Sequence, residues 1–237
     1  MNNKNLNIFI LAGGFGTRLK SVVSDVPKPM APILDKPFID YQIKEIRKYF
    51  LDSKIYLLTH YLSDIIESYF IDDKSIAILK EESPLGTGGS IKNAIDKLEL
   101  GINESLLILN GDTYIKPNLH NMLSDSKSKV SIVGSLQENC DRYGTLTIRN
   151  DQIIDFNEKE VGIENSYINA GCYYFDNLEF FNKIEEQEFA IEDKFKEYLL
   201  KNTIEIFKYS DIFIDIGIPE DYIKMINYIK DSKNAIR

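Results

Sequence analysis

Four charged residues stand where glycine, proline or a strand end would hold them still: Arg18, Lys28, Asp112 and Asp215. Arg18 follows Gly13-Gly14-Phe15-Gly16-Thr17, which continues an apolar run from Leu6 to Leu11 and Ala12. Glycines in such a turn let backbone N–H groups gather around an anion with no side chain in the way. The guanidinium of Arg18 adds a permanently charged fork suited to phosphate oxygens. Lys28 is flanked by Pro27 and Pro29, which stiffen its segment and limit where its ammonium points. Asp112 closes Asn110-Gly111-Asp112 after the apolar stretch Leu106 to Leu109, and Asp215 ends another in Phe213-Ile214-Asp215-Ile216-Gly217. Two carboxylates from distant strands, completed by phosphate and water, are a common way to hold Mg2+. The pattern predicts phosphate binding at Arg18 and Lys28, with Asp112 and Asp215 placed to hold a metal.

Other phosphate-binding patterns fit less well. No Gly-Lys-Ser/Thr triplet follows the glycines, so a Walker A loop is excluded. A dinucleotide fingerprint lacks its third glycine, and its acid is missing where the second strand ends in Leu58-Thr59-His60. A second informative stretch is Glu81-Glu82-Ser83-Pro84-Leu85-Gly86-Thr87-Gly88-Gly89. There Gly86 would let the backbone approach a flat base. A carboxylate upstream could accept from guanine N1–H and N2–H2 together. A third set is Tyr143-Gly144-Thr145, Glu158-Lys159 and Asn169-Ala170-Gly171. Glu158 and Asn169 would suit sugar hydroxyls, and Lys159 a sugar phosphate.

Leu11-Ala12-Gly13-Gly14-x-Gly16-Thr17-Arg18-Leu19 followed by Pro27-Lys28 resembles the signature of the sugar-1-phosphate nucleotidyltransferases. Pro84-Leu85-Gly86-Thr87-Gly88-Gly89, Asp141-Arg142-Tyr143-Gly144 and Phe213 to Tyr222 resemble one branch, the D-glycero-α-D-manno-heptose 1-phosphate guanylyltransferases of bacterial surface-glycan synthesis. The resemblance implies Mg2+-dependent transfer of GMP from GTP to heptose 1-phosphate, with release of pyrophosphate. It implies that Gly13, Gly14, Gly16, Thr17 and Arg18 hold the triphosphate, that Leu11 and Ala12 also belong to the nucleotide site, that Arg18, Lys28 and Asp112 are catalytic, and that Asp112 and Asp215 hold the metal. Glu81, Pro84, Gly86, Thr87, Asn110 and Gly111 would line the rest of that site, and Lys28 would bridge the reacting phosphates. Tyr143, Gly144, Glu158, Lys159, Asn169 and Gly171 would hold the sugar phosphate. A sugar 1-phosphate is already an anionic nucleophile, so this chemistry needs cations and positioning rather than a general base. Mannose 1-phosphate with GTP, a CTP- or UTP-dependent relative, and a non-catalytic nucleotide-sugar sensor stay open as alternatives.

Apolar runs alternating with helical periodicity position these residues. Strands are expected at Leu6 to Leu11, Lys54 to Thr59, Ser75 to Leu79 and Leu106 to Leu109. Helices are expected from Phe38 to Phe50, from Leu62 to Phe70, and through Lys97 with Ser90 as cap after a glycine loop. The second half predicts a strand from Val130, a hairpin turning at Asn150-Asp151, and a strand from Ile168 to Phe175. Helices follow at Leu178 to Glu186 and Ile191 to Lys201, strands at Ile204 to Tyr209 and Ile212 to Ile216, and a last helix from Pro219 to Lys230. The alternation argues for a single Rossmann-like α/β domain, a doubly wound, mostly parallel but mixed sheet, with no C-terminal β-helix. A nucleotide lobe is expected over about 1–115 and a sugar-phosphate lobe over about 116–237.

The 237 residues are 43% hydrophobic with a net charge of −9, which supports a full core and disfavours nucleic acid as a partner. Cys140 and Cys172 are isolated and read as reduced thiols; His60 and His120 are expected in loops or on the surface. No membrane span or leader is evident, so a cytoplasmic enzyme is expected, and an exposed apolar helix face could make a homodimer.

Overall fold

A computed structural model describes residues 5–235. The stretch preceding Asn5, read above as lacking a leader, lies outside the described residues. In chain order the elements are β1 (Leu6–Leu11), β2 (Pro32–Ile33), β3 (Lys36–Pro37), α1 (Phe38–Arg47), β4 (Ile55–Thr59), α2 (Ser63–Phe70), β5 (Ile76–Lys80), α3 (Gly86–Lys97), β6 (Ser105–Asn110), β7 (Thr113–Tyr114) and α4 (Leu119–Ser124). There follow β8 (Val130–Asn139), β9 (Gly144–Arg149), β10 (Gln152–Lys159), β11 (Glu164–Phe175), α5 (Ile191–Leu199), β12 (Ile204–Tyr209), β13 (Ile214–Asp215) and α6 (Pro219–Asn234).

One nine-stranded sheet runs through both halves in the order β5-β4-β1-β6-β11-β8-β12-β10-β9. The strands β5, β4, β1 and β6 are mutually parallel, as the strand–helix alternation predicts. Beyond β6 the pairing is antiparallel except for β12 with β8. There β9 and β10 form a hairpin while α5 still links β11 to β12, so the second half departs from a purely parallel sheet.

The period-2 alternation of strands splits the core. On β1, Ile8 and Ile10 pack beneath α1 and α2, while Phe9 faces the layer built by α3 and α5. Leu107 and Leu109 against Leu106 and Ile108 divide β6 in the same way. Buried on both faces, these strands read as continuous apolar runs. A third cluster joins α6 to the β2–β3 ribbon and to β7 and β13, with Ile33, Tyr114, Ile214 and Met225 buried. β13 is not part of the main sheet: it pairs with β7, bringing Asp215 opposite Thr113.

Three expectations require correction. Helix α3 begins at Gly86, so Gly86 to Gly89 form its first turn rather than a loop, and Ser90 lies inside it rather than capping it. A Cβ on Gly88 would lie 2.1 Å from the Phe189 ring, and one on Gly89 2.1 Å from the Gln187 carbonyl. Tertiary packing of segment 187–189 thus demands glycine where helix propensity alone would forbid it. Residues 178–186 form no helix. Leu178, Phe180 and Phe181 are all buried, with both rings on Phe175 and Phe180 also on Phe195, a spacing that no single helical stripe provides. The last helix runs four residues past Lys230, to Asn234. The hairpin turn is as read, with Asn150 and Asp151 both at positive φ, the pairing suited to a two-residue type I′ connection.

Candidate active site

The turn after β1 is pinned between the ends of its two neighbours. Ala12 N–H donates to the Leu58 carbonyl at 2.8 Å, and Gly111 N–H to the Leu11 carbonyl at 2.9 Å. Two cavities, of about 300 and 430 Å3, open at these carboxyl strand ends. That is where open α/β sheets collect ligands, and both volumes suit small molecules.

The first cavity is lined by Leu11, Gly13, Gly14, Lys28, Glu81, Pro84, Gly86, Thr87, Asn110, Gly111 and Asp112, all anticipated from the sequence. Phe15, Pro29, His60, Leu85 and Ser90 complete it. Ala12 is buried, while Gly16 and Thr17 line neither of these two cavities. Glu81 is 6% exposed, and its carboxylate accepts from Ser90 Oγ. Burial raises its carboxyl above the ordinary range, opposed by the hydrogen bonds from Ser90 and the Leu85 backbone. His60 stands beside it, Nδ1 3.3 Å from the Glu81 carbonyl and the ring edge-on to Phe15. Thr87 Oγ1 donates to Glu192 Oε2 at 3.2 Å and accepts from Ile191 N–H at 3.0 Å, so its hydroxyl pins α3 to α5.

The second cavity gathers Arg18, Tyr143, Gly144, Glu158, Lys159, Asn169 and Asp215. Arg18, expected on the nucleotide, therefore opens onto this side. Gly171 does not line the cavity. It sits at φ +66°, at a shift in the β11–β8 register, directly behind Asn110. Glu158 lies at the rim, 89% exposed and paired with Lys196 at 2.6 Å. Asn110 lines both cavities and joins them. Its buried Oδ1 has no hydrogen-bond partner, an unmade interaction that a bound ligand at this junction would satisfy.

Charge concentrates at the same junction. Lys28 Nζ lies 2.6 Å from Asp112 Oδ2. The Asp112 carbonyl accepts from Ile216 N–H at 2.9 Å, which fastens the Asp215 segment beside it. Burial, and then the neighbouring Asp112 charge, raises the Asp215 carboxyl above the ordinary carboxylate range. Gly217 N–H donates to Asp215 Oδ1 at 2.9 Å, and Arg142 reaches Asp215 Oδ2 at 3.6 Å while pairing with Asp221. Two adjacent, partly buried carboxylates that repel one another, with no histidine or cysteine between them, suit a hard divalent cation. Among the described residues no group of three His, Cys, Asp or Glu side chains converges, so further ligands would come from substrate or water.

Thr145, part of the third set, lines the second cavity as well, while sequence reasoning missed Arg142, Asn157, Tyr173, Glu192, Asp193 and Lys196 there. Arg142 carried a signal, standing immediately before Tyr143-Gly144. The three α5 residues carried none, because the polar face of an amphipathic helix reads as solvated surface.

Residues 8–232 match the family described as nucleotidyl transferase. The D-glycero-alpha-D-manno-heptose 1-phosphate guanylyltransferase of Campylobacter jejuni is 37% identical over 221 residues, covering 92% of this chain and 97% of that one. The protein of the same name from Aneurinibacillus thermoaerophilus is 38% identical over 227 residues, covering 92% and 96%. The crystal structure of HddC from Yersinia pseudotuberculosis complexed with GMP-PN superposes with a TM-score of 0.80 at 33% identity, over 94% of this chain and 99% of that one. No helix among the described residues is long and apolar enough to cross a membrane. The chain belongs to the nucleotidyl transferase family.

Proposed function

We propose that this chain transfers GMP from GTP to D-glycero-α-D-manno-heptose 1-phosphate, giving GDP-heptose and pyrophosphate. The observation that carries the reading is the junction at Asn110-Gly111-Asp112. There one strand end serves both a cavity suited to a nucleotide and a polar cavity suited to a sugar phosphate, with the Lys28–Asp112 pair beside it. The whole-length likeness to two heptose 1-phosphate guanylyltransferases supplies the choice of substrates.

In this reading the first cavity takes GTP. Gly13 and Gly14 offer backbone N–H groups to the phosphates, Gly86 lies against the base, and Glu81 accepts from the guanine N1–H and N2–H2 edge. The second cavity takes heptose 1-phosphate, with Lys159 and Arg18 near its phosphate and Tyr143, Gly144, Glu158 and Asn169 around the sugar. A sugar-phosphate oxygen attacks the α-phosphorus, the bond to the β-bridging oxygen breaks, and pyrophosphate leaves. Lys28 offsets charge that grows on the transferring and departing phosphates. Asp112 and Asp215 would hold Mg2+, which supplies further screening of the phosphate charge when bound. No residue need take a proton from the nucleophile, consistent with a junction that offers carboxylates and cations rather than a histidine–nucleophile pair. In this reading the reaction runs in the cytoplasm and its product feeds bacterial surface-glycan synthesis.

The test is product identification. Incubation with GTP, heptose 1-phosphate and MgCl2 is expected to yield a species with the mass of GDP-heptose in step with pyrophosphate. GDP-mannose formed in preference from an equimolar mixture of the two sugar phosphates would overturn the heptose assignment.

A further inference from the structure

Of the carboxylates that reach the second cavity, Glu192 has the surroundings of a ligand-binding group. It sits one residue into α5, its Oε1 accepting from Tyr173 OH at 3.3 Å and its Oε2 from Thr87 Oγ1 at 3.2 Å. Both hydroxyls are themselves committed. Tyr173 OH accepts from Asn169 Nδ2 at 3.0 Å, and Thr87 Oγ1 accepts from the Ile191 backbone N–H at 3.0 Å. Each hydroxyl has one proton, and in both cases the N–H behind it leaves that proton aimed at Glu192. The whole chain of hydrogen bonds is therefore polarised toward one carboxylate.

A carboxylate offers about four acceptor sites, and the two hydroxyls fill only one on each oxygen. Among the described residues, Glu192 forms no ion pair with a lysine, arginine or histidine, in contrast to Glu158, which Lys196 neutralises at the rim. Its anchors are rigid: Tyr173 is fully buried and Thr87 lies in the first turn of α3. What remains is a fixed pair of oxygens, one acceptor site open on each, in the wall of a cavity that also holds Asn169 and Lys159. The matching ligand is a pair of donors on adjacent atoms, which in a sugar is a vicinal diol.

We propose that Glu192 is a specificity-determining residue that accepts hydrogen bonds from two neighbouring hydroxyls of the sugar phosphate. This rests on the reading of the second cavity as the sugar-phosphate site. A preorganised acceptor of this kind discriminates strongly against a substrate lacking the hydroxyl, because its lone pairs are then buried without partners. The anchors come from both sides of the site, Thr87 from the helix that borders the base and Tyr173 from the strand that carries Asn169. Glu192 thus fixes the sugar relative to the nucleotide cavity.

The experiment compares wild type with Glu192→Gln, and with Glu192→Asp as a second variant that keeps the charge but shortens its reach. The substrate is whichever sugar 1-phosphate the wild-type protein consumes, so failure of heptose 1-phosphate overturns that substrate assignment and leaves this measurement standing. The expected result is a 10- to 100-fold loss in kcat/KM for the sugar phosphate, with the Kd of a non-hydrolysable GTP analogue unchanged within about twofold. With sugar 1-phosphates deoxygenated one position at a time, the wild-type advantage is expected to vanish for the positions Glu192 reads. A sugar kcat/KM within threefold of wild type in both variants would overturn the proposal. So would a loss of equal size for every deoxy sugar, or a parallel loss of GTP-analogue affinity, either of which marks a structural role.

Discussion

Replacing Lys28 with methionine keeps most of the side-chain volume and removes the charge. The ammonium sits 2.6 Å from Asp112 Oδ2, and the two side chains are 13% and 31% exposed. Two consequences can be separated. For folding, loss of the partner leaves Asp112 beside Asp215 with one cation fewer. An unsatisfied buried charge costs about 1–3 kcal/mol or more, and the partial exposure of Asp112 places this case near about 1 kcal/mol. For a chain of this size that lowers Tm by about 2–4 °C, leaving the fold intact. For turnover, loss of one group aimed at developing phosphate charge costs about 100- to 1,000-fold, or about 2.7–4 kcal/mol at about 1.36 kcal/mol per decade. The assay is coupled pyrophosphate release at saturating GTP and sugar phosphate, alongside thermal melts followed by circular dichroism. The expected outcome is a kcat lower by two to three orders of magnitude, a Tm within a few degrees of wild type, and a smaller change in GTP-analogue Kd. A kcat within tenfold of wild type in the folded variant would show that Lys28 merely neutralises Asp112.

Further outcomes follow from the same junction. Gly171→Ala puts a side chain at φ +66°, costing about 1–2 kcal/mol, with a Cβ 2.3 Å from Asn110 Nδ2; urea denaturation should register the strain and turnover should fall with it, whereas full turnover would remove Asn110 from the site. Arg142→Ala strips a shared cation, itself 34% exposed, from Asp215 and Asp221, so stability is expected to drop by about 1–2 kcal/mol, and a loss under about 0.5 kcal/mol by urea titration contradicts the network. Glu81 is held above the ordinary carboxylate range, so the folded state binds its proton more tightly than the unfolded state does, and stability is lost as pH rises from the unfolded value through the folded one. Glu81→Gln should therefore melt above wild type at pH 7.5 and close to it near pH 4, and should lower the preference for GTP over ATP; an equal melting difference at both pH values rejects the burial argument.

Much of this arrangement was legible because the residues proposed to bind phosphate are also those that shape the backbone. Gly13 and Gly14 lie in the turn after β1, Pro27 and Pro29 bracket Lys28, and Asp112 stands two residues past the end of β6, so local pattern and candidate site coincide. The parallel half of the sheet was equally readable, since strands buried on both faces leave continuous apolar runs. What stayed hidden depends on contacts distant in sequence. The first turn of α3 must carry glycine at Gly88 because Phe189, a hundred residues on, packs against it. The rings of Phe180 and Phe181 hold residues 178–186 out of a helix by packing on Phe175. Glu192 and Lys196 reach the site from a helix whose spacing carries no mark of ligand binding. His60 reads as an ordinary loop residue and comes to the first cavity through the turn at the end of β4.

The central claim is that one junction serves a guanine nucleotide on one side and heptose 1-phosphate on the other. It is tested most directly by kcat/KM for pyrophosphate release across GTP, ATP, CTP and UTP, each paired with heptose, mannose and glucose 1-phosphates. The account predicts the highest value for GTP with heptose 1-phosphate, by at least tenfold over every other pair. A higher value for another pair, or no release from any, would contradict it.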